Sequence, residues 1–448
     1  MSSCNQSFCV GFGRTCITPT ESVPLAGYGN TSTRMSSNVL NDLYATCVAF
    51  RDAYGHTALM FHLDLICCNG EVMTPARQMI SEATGVPFDY IHTSAPHSHS
   101  TPDLTNTAEP SIVRYIPWLQ KQMVDAAVAA VEDLKPAKMY TTTTQTKGLN
   151  FVRHYVLTDG SFKGDNFGDL NQNPYAGHAT EADPTMQLVR FVRKGGKDIL
   201  LVNWRTHPHR TGGFTKPDIA ADIVGSMREN MENDMGCLMA YFSGGGGNVN
   251  PKSRIEEENI TKDYLEQGRA MADTALAAMD SMKEAQLGVI RMVHLVHPGK
   301  VNHTQDVILD KAKEIQHIWK TTNDRPRCIK MGEPYGIHSP YHANAIVWKA
   351  DLGEYLDVDM YAFSIGDLAF VTAPYEMFDT NDKQIRDGSP FPMTFVATLA
   401  NSVSSYIPSA YGYQYGCYEA DCGRFHPGTG EVLAEKYVDM LKAIYEEK

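Results

Sequence analysis

Short apolar runs of strand length alternate with amphipathic segments of helical period along all 448 residues, with no tandem repeat and no long low-complexity linker. Such a chain has to stack sheets and helices in layers. The expected fold class is therefore α/β, of the mixed α+β kind, with mixed β-sheets flanked by helices. Ala45–Phe50 and Ala58–Cys67 read as two strands around the turn Asp52-Ala-Tyr-Gly55. Glu71–Ala83 reads as a helix ending before Gly85, and Tyr90–Ser94 as a buried strand. Ser111–Leu134, Ile219–Met231, Lys262–Met282, Tyr375–Arg386 and Val432–Tyr445 have helical patterns. Ile199–Trp204 is a short apolar strand, and Met360–Thr372 holds two strands joined at Gly366-Asp367. The length allows one elaborate domain over 1–448, with room for two lobes.

Composition narrows the function classes. A hydrophobic fraction of 43% is enough for a sizeable core. A net charge of −13 argues against a nucleic-acid partner, because phosphate binding needs a basic surface. No stretch approaches the ~20 apolar residues of a membrane span, and the first residues lack the apolar core of an export signal. The expectation is a cytoplasmic protein without an integral membrane segment, acting on a small molecule and free to form a homo-oligomer. The ten cysteines include no C-x-x-C pair, so mostly free, buried thiols are expected.

Three candidate metal ligands, His97, His207 and Glu376, directly follow expected strands. In α/β sheets, ligands gather beyond the carboxyl ends of strands, so separate stretches can converge there. In Ser94-Ala-Pro-His-Ser-His-Ser-Thr-Pro-Asp103, extended backbone would send the rings of His97 and His99 to one side. Such a pair can supply two ligands, or one ligand and one acid/base group; a polar surface loop would look the same. A second H-x-H, His207-Pro-His209, follows the strand at 199. Glu376 stands at an apparent strand-to-helix junction, where a carboxylate is favoured with or without a metal. As a ligand it would complete a His₂Glu set.

The run Gly244-Gly-Gly-Gly-Asn-Val-Asn-Pro251 lets the backbone come very close to something, whether an anion, a substrate, the metal site or a packed element. Gly245, Gly246 and Asn250 are its candidate substrate contacts. It is neither a phosphate-binding G-x-x-x-x-G-K-[ST] loop nor a G-x-S-x-G elbow. Asn401–Ser409 and the tyrosines that follow form an aromatic cluster suited to a substrate wall or a hydrophobic lid.

These motifs, in this order, resemble the catalytic domain of the neutral/alkaline ceramidase family. The match runs from Val10-Gly-Phe-Gly-Arg-Thr-Cys-Ile-Thr-Pro19 and Leu25-Ala-Gly-Tyr-Gly29 to Gly416-Cys-Tyr-Glu419. The resemblance implies one zinc ion (Zn2+) held by His97, His207, Glu376 and Tyr406, and hydrolysis of an amide. It further implies His99 as an acid/base residue, Arg153 as a group that steadies the oxyanion, and Tyr418 as a second active-site tyrosine. The family's G-D-V-S-P segment is Gly247-Asn-Val-Asn-Pro251 here, so its serine is Asn250. That speaks against a seryl intermediate and leaves an activated water. The family's immunoglobulin-like domain and export signal have no counterpart in this sequence, which sets ceramide aside as the expected substrate. A hydrolase of an ester, lactone or glycosidic bond is the alternative on the same scaffold, and a non-catalytic binding protein is the second.

Overall fold

A strand covered on both faces needs apolar side chains at consecutive positions, because alternate ones point to opposite sides. Tyr44–Arg51 obeys this rule: Ala45, Cys47 and Ala49 enter one core while Val48 and Phe50 enter another. The computed structural model describes residues 7–29, 33–165 and 174–446, with the backbone alone for Tyr415. Cys4 and the other residues at 1–6 therefore lie outside the described residues.

The larger sheet has nine strands. Its path runs Leu238–Ser243, Ile199–Trp204, Thr185–Arg193, Lys135–Gln145, Cys9–Cys16, Tyr44–Arg51, Thr57–Leu63, Ile91–Ser94, with Lys283–Ala285 paired to the fourth of these. The pairs at both ends are parallel and the others antiparallel. The second sheet has four strands, Ile290–Lys300, Tyr355–Ile365, Leu368–Ala373 and Met393–Thr398, the last pair parallel. The two sheets share a core that includes Phe50, Phe191, Phe242, Phe363, Phe370 and Phe395. Helices Gly70–Thr84, Pro110–Glu132, Asp222–Met235 and Tyr264–Ala278 cover the outer face of the first sheet. Asp379–Gly388 and Thr429–Glu446 cover that of the second. The expected fold class holds. Three further helices, Leu309–Thr322, Arg325–Gly332 and Pro340–Ala350, pack around a smaller core of their own.

Local signals explain the boundaries. Asn69 caps the helix at Gly70 by accepting from Glu71 N at 2.9 Å, and Gly85 closes it at φ 71°. Asp52 Oδ1 accepts from the amides of Tyr54 and His56, which fixes the turn between the first two expected strands. The expected helix from Tyr375 begins later, at Asp379, because Glu376–Met377 pair in parallel with Tyr406–Ile407. The expectation of mostly free thiols holds among the described residues: eight cysteines are free, five of them buried, and Cys9 is disulfide-bonded. Among the described residues no helix is long and apolar enough to cross a membrane.

One packing feature gives a direct prediction. Helix Pro110–Glu132 lies so close to Cys9–Cys16 that a Cβ on Gly13 would sit 2.0 Å from the carbonyl oxygen of Ala126. Gly13→Ala is expected to lower stability by about 1–3 kcal/mol through overpacking. A thermal melt unchanged from wild type would show that the helix can retreat at no cost.

Candidate metal centre

Three parallel-strand exits deliver the site. His97 follows Ile91–Ser94, His207 follows Ile199–Trp204, and Glu376 follows Leu368–Ala373. The chain at His97 is not extended, as the H-x-H reading assumed, but left-handed at φ 76°. That conformation costs a non-glycine residue roughly 1–2 kcal/mol. It is held by His97 Nδ1 against Ile66 O at 2.8 Å. The turn still brings the rings of His97 and His99 edge to face, with centroids 4.7 Å apart. Glu376 and Tyr406 are in register on adjacent parallel strands, which puts carboxylate and phenol on one face.

The three ligand candidates meet at one point. Glu376 Oε2 lies 3.3 Å from His97 Nε2 and 3.2 Å from His207 Nε2. His207 Nδ1 faces the carbonyls of Gly246 at 2.7 Å and Val249 at 3.2 Å. A carbonyl only accepts, so Nδ1 of each ring carries the proton and Nε2 presents a lone pair. Burial, and next Arg153, hold the His207 pKa well below its ordinary value, so this ring is neutral. Glu376 Oε2 is buried with no hydrogen-bond donor among the described residues. Lone pairs thus face one another with no proton to share among the three, and of the described residues only Arg153 Nη1 reaches one of them, at 3.4 Å from His207 Nε2, an arrangement that a divalent cation would satisfy. The donor set, two imidazoles and a carboxylate whose histidines are oriented by backbone carbonyls, fits zinc.

Around this point lie the other expected residues. Arg153 Nη2 donates to Tyr406 Oη at 3.3 Å and to Gly247 O at 2.7 Å, and Nη1 is 3.4 Å from His207 Nε2. Burial opposes the Arg153 charge, but Glu419, with Nε–Oε1 at 2.5 Å, outweighs it. Against the same burial, Arg153 and His154 hold the Glu419 carboxyl well below the usual range. The Arg153–Glu419 pair is therefore neutral overall, so it adds no net positive charge to compete with a cation. Burial, and next Glu376, push the Tyr406 phenol well above its usual pKa, with Arg153 pulling the other way. Ionisation of this phenol would thus depend on a cation beside it. Both ring nitrogens of His99 are buried without a partner among the described residues. Burial, and then His97 and His207, keep His99 neutral. Tyr418 packs edge to face on Tyr406, centroids 5.7 Å apart.

The glycine run and Asn250 stand differently. A Cβ on Gly245 would sit 2.6 Å from Phe378 O, and one on Gly246 3.0 Å from Thr206 O, so the close approach is to the chain itself. The run orients His207 through the Gly246 carbonyl. Asn250 bonds Asp165 Oδ2 at 2.7 Å and His209 Nε2 at 3.1 Å, on the wall of a charged cleft of about 620 Å³. His154 is a site residue the motifs did not single out, and Glu419 stood at the end of the Gly416-Cys-Tyr-Glu419 motif with no role assigned. His154 bridges Glu419 at 2.9 Å to Tyr411 at 3.2 Å. Its place next to Arg153 was the available signal.

The fold is ceramidase-like. The crystal structure of neutral ceramidase from Pseudomonas aeruginosa is similar with a TM-score of 0.72 and 16% identity, over 99% of this chain and 75% of that one. A ceramidase complexed with C2 is similar with the same score and identity, over 99% and 76%. At this identity the likeness is one of fold. No family model and no curated protein matches the sequence.

Proposed function

We propose that this protein is a zinc-dependent hydrolase that cleaves an amide bond of a small or amphipathic substrate. The observation that carries the reading is the meeting of two imidazole lone pairs and a donorless carboxylate oxygen at 3.2–3.3 Å. His97, His207 and Glu376 hold the metal, with Tyr406 as fourth ligand. The ion would acidify water and polarise a carbonyl. His99, neutral and with unused nitrogens, accepts the proton of the attacking water and passes it to the leaving nitrogen. Arg153, fixed by Glu419 and Gly247, presents its guanidinium beside Tyr406, where it steadies the developing oxyanion together with Tyr418. Asn250, engaged with Asp165 and His209, is not used as a nucleophile.

Metal analysis with a panel of amides and esters tests this reading. One zinc per chain is expected, with amide turnover lost on chelation and restored by zinc alone. A metal-free protein, or turnover indifferent to chelator, would end it.

A further inference from the structure

A cavity of about 200 Å³ opens behind Tyr406. One wall is the helix Pro340–Ala350, whose Tyr341, Asn344 and Trp348 share a face at i, i+3 and i+7. Tyr406, Tyr418 and Arg424 make the opposite wall. The cavity therefore shares Tyr406 with the metal centre.

Arg424 is the unusual member. Buried guanidinium groups elsewhere hold a carboxylate, as Arg153, Arg205 and Arg228 do, or backbone carbonyls, as Arg34 and Arg77 do. Among the described residues the Arg424 side chain holds neither, and burial lowers its pKa. A partly buried charge without a counter-charge is costly unless something supplies one. Across the cavity, Asn344 Oδ1 is buried with no hydrogen-bond partner among the described residues. An unpaired cation and an unused polar atom thus line one small space, walled otherwise by aromatic rings.

We infer that this cavity is a substrate subsite for a short group ending in a carboxylate, with Arg424 as its counter-ion; Asn344 Oδ1, an acceptor, is open to an N–H or O–H of the same ligand. A planar guanidinium matches a carboxylate with two parallel hydrogen bonds, which a neutral chain end cannot use. The volume is below the ~300–1,000 Å³ of pockets for drug-sized ligands, so the group is short rather than a long alkyl chain. Trp348, 60% exposed, lies where its ring can cover the group. The inference rests on the amide-hydrolase reading for the chemistry next door, but the binding it claims stands apart from turnover.

The test uses two anilides of similar length, N-succinyl anilide and N-butanoyl anilide, which differ by the terminal carboxylate. Calorimetry on the zinc-loaded protein is expected to show the succinyl compound binding about tenfold or more tighter, the range for hydrogen bonds to charged groups. Arg424→Gln is expected to bring the ratio near one and Arg424→Lys to keep part of it, with thermal melts confirming that both variants fold. Equal binding of the two anilides to wild type, or a preference that survives Arg424→Gln, overturns the subsite. If the Arg424-dependent preference is present but neither anilide is cleaved, the subsite stands and the amide-hydrolase reading is what fails.

Discussion

His207→Ala is expected to abolish metal binding and turnover together, whereas His99→Ala keeps the metal and loses only turnover. The two rings are near neighbours, with centroids 5.7 Å apart, but their surroundings differ. His207 has its Nδ1 proton taken by carbonyls and its Nε2 turned to Glu376. His99 has both nitrogens unused. Removing a mere partner of a ligand typically costs 10–100-fold in affinity, so loss of His207 itself should exceed roughly 100-fold. For His99→Ala, turnover should fall about 10²–10⁴-fold, the usual contribution of a positioned acid/base group. Metal content after dialysis and kcat for each variant decide the matter. All three histidines have nitrogens within 4.8 Å of one another, so a metal-free His99→Ala protein would recast His99 as a ligand.

The largest stability effect is expected at Asp382, far from any solvent. Its carboxylate accepts from Arg205 Nε at 3.0 Å, Arg386 Nε at 2.5 Å and the amide of Gly245 at 2.7 Å. The side chains of Arg205 and Asp382 are fully buried. Burial opposes the Asp382 charge, but Arg205 and Arg386 keep its pKa below the ordinary value. Asp382→Ala leaves Arg205 with Asp183 as its one carboxylate partner, beside the Thr185 carbonyl, and removing one partner of a buried pair costs about 3–5 kcal/mol. Denaturant unfolding of the variant measures this. A loss under about 1 kcal/mol would mean that Asp183, at 2.9 Å from Arg205 Nη1, suffices. Arg205 and Gly245 flank Thr206 and Gly246, so metal affinity should fall as well.

What could be read from the sequence was local. The strand Ile199–Trp204 matches its expected bounds because the apolar run is closed by Asp198 and Arg205. The turn at Asp52 and the helix from Gly70 carry their own caps. Lys135–Gln145 was not legible. Its Thr141–Thr144 run has no hydrophobic period, yet it forms a ladder with Thr185–Arg193. Glu376 was singled out, but its setting was misread as a helix start, since the Tyr406 strand that captures it lies 30 residues downstream. The partnership of Arg153 with Glu419 spans 266 positions, beyond the reach of any spacing rule.

The three helices between 309 and 350 stand on eight buried apolar side chains of their own. Stability is not uniform across a protein, and a module with so small a core can open at lower cost than the two sheets. Its opening would uncover Tyr341 and Asn344 without disturbing the backbone carbonyls that aim the imidazoles. On the proposed function, entry of a ligand and integrity of the metal-centre geometry would thereby be decoupled. Under that reading a doorway could loosen while the proposed reactive centre stays assembled.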